Sequence, residues 1–176
     1  MLEIEIKILE IDPLEIERKL LNLGAKKEVT VLVVDKSFDF SNHFLNKRKQ
    51  LLRLRVLGDK FYLAHKGNMQ KSEIARIVEE TETQIYDAKI MESILKKIGL
   101  QIVKHREKKR TSFILGNARC EIDQYPQIPP YMEIEGSEKD ILDIIGKLGY
   151  SLKDTTKMSA SKVLKKYKID DKFLRF

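Results

Sequence analysis

The sequence predicts an α+β fold, a mostly antiparallel sheet crossed by helices. Three observations predict it. Short runs alternate charged and aliphatic residues with a period of two, as in Met1-Leu2-Glu3-Ile4-Glu5-Ile6-Lys7, in Leu51 to Leu57 and in Tyr131-Met132-Glu133-Ile134-Glu135. In a strand this places the charges on one face and the aliphatics on the other. A unit of strand, capped helix and a stop at Leu-Gly or Ile-Gly recurs three times, over residues 2–24, 79–99 and 131–149. Gly58-Asp59 and Gly116-Asn117 each separate two alternating runs, as hairpin turns do.

The elements follow in order. After the opening strand, Asp12-Pro13 reads as a helix N-cap with proline at the first helical position. That helix reaches about Leu23, with Leu14, Ile16, Leu20, Leu21 and Leu23 as its apolar stripe and Gly24 as its stop. Val29 to Val34 is a β-branched strand, continued extended through Phe40, and Ser41 to Gln50 is a polar loop. Leu51 to Leu57 and Lys60 to Lys66 form a hairpin, and Gly67 to Glu73 is a flexible loop. A strand from Ala75 to Ile85 precedes a helix capped by Asp87, with Ile90, Met91, Ile94, Leu95 and Ile98 facing inward. Leu100 to Lys104 is extended, and Lys108 to Leu115 pairs with Ala118 to Tyr125. Tyr131 to Glu135 repeats the opening alternation before a helix capped by Ser137, and Thr155 to Lys168 forms a last short helix followed by a tail.

Composition narrows the function. A chain of 176 residues suits one domain, with its core in about 1–168 and a short C-terminal tail. With 42% hydrophobic and 35% charged residues it is globular, and no apolar run approaches a membrane span. A strand starting at residue 2 leaves no room for a leader, and the lone Cys120 excludes an internal disulfide, so the expected compartment is the cytoplasm. The formal net charge of +7 favours an anionic partner, either nucleic acid or a small polyphosphate. There is no zinc-ligand spacing, no Gly-rich phosphate loop and no aromatic-basic RNA-binding pattern. His43, His65 and His105 are scattered and read as structural or surface residues.

The charged faces carry the chemistry. They are Glu3/Glu5/Lys7, Arg53/Arg55, Arg76/Glu80/Glu82, Lys108/Arg110, Glu121/Asp123 and Glu133/Glu135. Two carboxylates one alternation apart lie roughly 6–7 Å from each other along a strand, close enough to share a divalent cation. Alternation alone admits two architectures. An open sheet would turn all these faces to water. A sheet curled into a barrel would enclose them in a lumen where opposite charges compensate each other.

Glu3-Ile4-Glu5-Ile6-Lys7 resembles the Glu-x-Glu-x-Lys motif of the CYTH family, the triphosphate tunnel metalloenzymes. The resemblance extends in order over about residues 1–150. Asp35 to Asp39 is similar to the family's Asp-x-Tyr-Phe-Asp stretch, Leu52-Arg53-Leu54-Arg55 to its Leu-Arg-x-Arg strand and His65-Lys66-Gly67 to its Lys-Gly step. Lys108-Lys109-Arg110 resembles its Lys-x-Arg strand, Glu121-Ile122-Asp123 carries its late aspartate, and Met132 to Glu135 matches its closing Glu-x-Glu. The family's segment before the second helix places its arginine at Val78, with Arg76 one repeat earlier on the same face. The helix stops and the Glu-Ile-Glu near residue 133 look most like the class IV adenylyl cyclase branch.

The resemblance implies an antiparallel eight-stranded β-barrel, a tunnel with a charged lumen and helices packed outside. It implies that Lys7, Arg53, Arg55, Lys66, Lys108 and Arg110 bind a triphosphate. Glu3, Glu5, Glu133 and Glu135 would hold Mg²⁺ or Mn²⁺, with Asp123 as a further ligand or base and Glu80 and Glu82 as additional candidates. Asp123 and Lys66 are the expected catalytic groups. The implied activity is that of an adenylyl cyclase, converting ATP to cyclic AMP and pyrophosphate. The alternatives are an inorganic or organic triphosphatase and, from another class, a non-catalytic polyphosphate-binding module. The expected partner is a nucleoside triphosphate or another polyphosphate, with neither nucleic acid nor membrane. A homodimer is compatible with the pattern, though no stretch demands one.

Overall fold

The computed structural model describes residues 1–176 and shows a closed barrel. Its strands are β1 (Leu2–Leu9), β2 (Lys26–Phe40), β3 (Leu51–Leu57), β4 (Lys60–Gln70), β5 (Arg76–Ile85), β6 (Leu100–Leu115), β7 (Ala118–Gln124) and β8 (Tyr131–Glu135). The spatial order is β6-β2-β3-β4-β5-β1-β8-β7, and pairing of β6 with β7 closes the ring. All eight neighbouring pairs are antiparallel. Closure settles the choice left open by alternation, because the inward set of every strand is now enclosed.

Helices pack on two sides. α1 (Pro13–Asn22) and α4 (Glu138–Lys147) cover the outer face of β1, β8, β7 and the end of β6, where Ile6, Ile8, Phe113, Cys120, Met132 and Ile134 meet Ile16, Leu20, Ile141 and Ile144. Burial pushes the Cys120 thiol up to about 12, so it sits there as a small apolar side chain. α3 (Ala88–Lys97) covers a second patch through Leu95, against Phe38, Leu54 and Leu100. Asp12, Asp87 and Ser137 cap these three helices by accepting backbone N–H bonds, as their sequence positions predicted. The buried arcs are narrower than the apolar stripes. Leu14 and Leu21 of α1 are exposed, as are Ile90, Ile94 and Ile98 of α3, because each helix rests on a curved wall along a single line.

Several extents differ from the sequence reading. Residues 26–40 form one continuous strand, and so do residues 100–115. The run Lys104 to Glu107 has no aliphatic alternation, because part of its cover is a polar C-terminal segment rather than a helix. The stretch read as a loop from Ser41 to Gln50 contains a short helix, α2 (Phe44–Lys47), whose Leu45 and Asn46 N–H groups donate to Asp39. β4 continues to Gln70, into the stretch read as a flexible loop. The last helix is only α5 (Ala160–Lys166), preceded by β9 (Thr155–Thr156), which pairs with Lys7 and Ile8 of β1. The tail is docked rather than solvated: β10 (Phe173–Leu174) lies parallel to His105 and Arg106, on the part of β6 that extends beyond β7.

The two barrel ends differ. The β3–β4 turn, the β6–β7 turn and the start of β2 share one mouth. At the other end Val163 and Leu164 of α5 pack with Tyr125, Ile128, Tyr131 and Leu174, forming a plug.

Candidate active site

The lumen is a cavity of about 950 Å³, in the size range of ligand sites. It takes its character from strand parity. Glu3, Glu5 and Lys7 of β1, Arg53 and Arg55 of β3, Lys66 of β4, Lys108 and Arg110 of β6, and Glu133 and Glu135 of β8 all line it. These ten residues come from five strands and were all expected from the sequence. Asp123 is at 0% exposure and lies in the wall behind the lining. Arg76, Glu80 and Glu82 also line the cavity, so Arg76 reaches the lumen one repeat before Val78.

Ten acidic and ten basic side chains line the cavity, so its formal charge is balanced. Lys7, at 1% exposure, sits between Glu5 and Glu133 at 2.8 Å from each. Lys66 is 2.5 Å from Glu3 and 3.0 Å from Glu80, while Arg53 reaches Glu80 at 3.1 Å and Glu82 at 3.3 Å. Arg76 donates to Glu5 at 2.6 Å. Asp35 accepts two bonds from Arg55, at 2.8 and 2.9 Å. Asp123 accepts from Lys108 at 2.7 Å and twice from Arg110 at 2.6 Å, and Arg110 also pairs with Glu121. Such pairs offset the cost of removing each charge from water.

The carboxylates fall into two groups. Burial alone would raise all of them. Lys66 nevertheless holds Glu3 below the ordinary range, and Lys7 with Arg110 holds Glu133 well below it. Glu5 is raised by burial and by the Glu133 charge. Glu135 is pushed up to about 7 by burial and then by Glu3, Glu121 and Glu133. Glu5 and Glu135 are direct cross-strand partners, an unfavourable arrangement for two negative charges, and Oε2 of Glu3 is buried without a hydrogen-bond partner.

This donor set fits a hard divalent cation. It is all oxygen, it carries repulsion that a cation would relieve, and it has one orphaned carboxylate atom. No three carboxylates form a preformed cage. That also suits Mg²⁺, which is usually held by one or two carboxylates plus substrate phosphates. A pH dependence follows from Glu135. Between its ordinary 4.5 and about 7 the unfolded chain loses the proton while the folded protein keeps it. Stability from this group is therefore full below about 4.5 and falls as pH rises to about 7. Thermal melting from pH 5 to 8 should show this slope, Glu135→Gln should flatten it, and Mg²⁺ should raise the midpoint more at pH 8 than at pH 5.

Sequence reasoning passed over Arg106, and it named Asp35 only within a motif and Glu121 only as one of the charged faces; all three line the lumen. Arg106 shares parity with Lys108 and Arg110, and reading β6 as one strand would have found it.

Comparison with known proteins gives a consistent result. A family model described as the CYTH domain matches residues 1–165. A comparison with curated proteins finds no match. Among solved structures, a protein from Pyrococcus horikoshii is similar, with 24% identity, TM-score 0.74 and coverage of 91% of this chain and 98% of that one. A Vibrio parahaemolyticus protein provisionally described as an adenylate cyclase has TM-score 0.81 at 16% identity, covering 94% of this chain and 98% of its own. A Hippeastrum protein, provisionally described as an adenylyl cyclase and reported with a dominant triphosphatase activity, has TM-score 0.70 at 19% identity, covering 96% and 97%. At these identities the likeness is one of fold. No helix of the chain is long and apolar enough to cross a membrane.

Proposed function

The chain belongs to the CYTH domain family, and from that premise we propose that it is a metal-dependent adenylyl cyclase, converting ATP to cyclic AMP and pyrophosphate in the cytoplasm. The observation that carries the triphosphate reading is the balanced lumen. A triphosphate brings about four negative charges and its divalent cations bring the compensating positive ones, so the complex enters a neutral lumen without leaving net charge buried.

Lys7, Arg53, Arg55 and Lys66 are each held by a carboxylate that a phosphate oxygen can replace. Lys7, Arg53, Arg55, Lys66, Lys108 and Arg110 would donate charge-assisted hydrogen bonds to the phosphates. Glu3, Glu5 and Glu133, released from those cations, and Glu135, which pairs with none, would hold Mg²⁺ or Mn²⁺. A bound divalent ion supplies charge neutralisation on the phosphate oxygens during displacement. Lys66, beside Glu3 and Glu80, would stabilise charge on the departing phosphate. Asp123 acts through Lys108 and Arg110, which its two oxygens hold in position.

The organic half of the substrate is supported by the mouth. Val29, Val31, Leu57 and Tyr62 line it beside Arg55, giving an apolar shelf where a nucleoside can rest while its phosphates extend inward. The second reading, a triphosphatase, uses the same lumen with water as nucleophile, and the Hippeastrum neighbour's reported activity favours it.

The test is a product assay with Mg²⁺ or Mn²⁺, using ATP and, separately, tripolyphosphate. Cyclic AMP with pyrophosphate is the expected result. Orthophosphate from either substrate would replace the cyclase with the triphosphatase. No product from any triphosphate would overturn both.

A further inference from the structure

Lys7, Arg53, Arg55 and Lys66, on β1, β3 and β4, each meet a carboxylate supplied by the barrel wall. Arg106 does not. It is 7% exposed and lines the cavity; Asp35, its cross-strand partner on β2, is taken by Arg55, and the one carboxylate within salt-bridge distance is Asp171, which belongs to the segment after α5. The contact is loose, at 3.5 Å from Nη1, and Nε of Arg106 is buried without any partner. Lys104 lies one repeat earlier on the same face of β6 and binds Asp171 at 2.5 Å. Ser161, at the plugged end of the cavity, accepts from Lys104 at 2.9 Å and from Arg106 at 3.2 Å. Two cations and a hydroxyl thus surround a single carboxylate oxygen, and one positive charge is left over.

The carboxylate is ionised. Burial would raise it, but hydrogen bonds with Lys104 and Ser161 and the charges of Lys104 and Arg106 hold it below its ordinary range. Its segment is held to the plug by Leu174, which is 3% exposed in that apolar cluster, while the Asp171 carboxylate is bound by the polar groups of this site. Lys168, in the left-handed region at φ 60, turns the chain out of α5. The segment then meets β6 through two paired residues, the His105 N–H donating to the Lys172 carbonyl at 2.6 Å, and an Arg175–His105 contact at 2.9 Å.

We propose that Lys104, Arg106 and Ser161 form a binding site for the terminal phosphoryl group of a polyphosphate at the plugged end of the lumen, and that Asp171 is its displaceable internal occupant. The ligand class rests on the triphosphate reading above. A phosphoryl group offers three acceptor oxygens to three donors where Asp171 offers two, so it also reaches the unpartnered Nε of Arg106. Asp171 therefore competes with substrate, and its carboxylate and the phosphoryl group exclude each other at the three donors.

The test is isothermal titration calorimetry of the full chain with inorganic tripolyphosphate, in Mg²⁺ and separately in EDTA. Asp171→Asn should tighten binding several-fold, since the competitor is lost. Arg106→Gln should weaken it about tenfold, the scale of one charge-assisted contact. In the double variant the gain from Asp171→Asn should shrink, since Lys104 alone is then left to be freed. Arg106→Lys should recover part of the loss, which separates a charge effect from a folding defect. Unchanged or weaker binding in Asp171→Asn overturns the proposal, as does a gain that is undiminished without Arg106. Triphosphate turnover with no Asp171 effect sinks the subsite and leaves the triphosphate reading standing. Asp171-dependent binding without turnover of any triphosphate supports the subsite and sinks the enzymatic reading. A wild-type protein that binds tripolyphosphate in neither buffer overturns both.

Discussion

Replacing Glu5 with alanine is expected to reduce triphosphate turnover by at least about 10²–10³-fold, the scale on which one preorganised electrostatic group is felt, while the protein keeps its fold. Both halves follow from the surroundings of Glu5. Its carboxyl faces Glu135 across the β1–β8 ladder and is raised by burial and the Glu133 charge, so it is held against its own preference. Removing it relieves that repulsion. Lys7 retains Glu133 at 2.8 Å, and Arg76 retains Glu3 at 3.8 Å, so no cation is stranded. The melting midpoint should move by no more than a few degrees, with the loss appearing in kcat. A variant with full activity would remove Glu5 from the metal site. A variant that unfolds would show that its pairs with Lys7 and Arg76 outweigh the repulsion.

Asp123→Asn should do the opposite and act on stability first. Asp123 is fully buried and neutralises Lys108 and Arg110 together. Arg110 keeps Glu121 and Glu133 as partners, but Lys108 has no other carboxylate within salt-bridge distance. Stranding a buried cation costs about 3–5 kcal/mol, a large share of the roughly 5–15 kcal/mol that holds a domain folded. The lower figure corresponds to a fall of about 6–12 °C in melting temperature at this chain length. Urea unfolding checks it, and tripolyphosphate supplies a second readout. An added polyanion should raise the midpoint more in Asp123→Asn than in the wild type, because it restores negative charge beside Lys108. Equal melting of the two proteins would mean that the Asp123 cluster contributes nothing net.

The lumen was legible because strand parity is written directly into sequence. Glu3-Ile4-Glu5, Arg53-Leu54-Arg55 and Glu133-Ile134-Glu135 each declare an inward and an outward face, and once the ring closes the charged faces have only one place to go. Barrel closure itself was not legible from alternation, since a wet open sheet shows the same pattern. It depends on pairing of β6 with β7 and of β1 with both β5 and β8. Arg106 escaped notice and Asp35 was read only as part of a motif, for different reasons. The strand around Arg106 lacks aliphatic alternation, while Asp35 takes its role from Arg55 on a neighbouring strand. The exposed Ile90, Ile94 and Ile98 show the reverse error, in which a strong helical period was read as a wider buried face than the curved wall accepts.

The position of β1 also fixes when the fold can be completed. The strand at the start of the chain is bordered on one side by residues 76–79 and 155–156, and on the other by residues 131–135. The last of these partners, residues 131–135 and 155–156, are synthesised only in the final third of the chain. Until then Lys7 lacks Glu133, and the ring remains an open ribbon. Final closure is thus a long-range search joining the two ends of the chain, a topology that places folding toward the slow, millisecond-to-second end of the range. The residues assigned to metal binding become a site only in that last step, so no partly made chain can display the chemistry of the finished one.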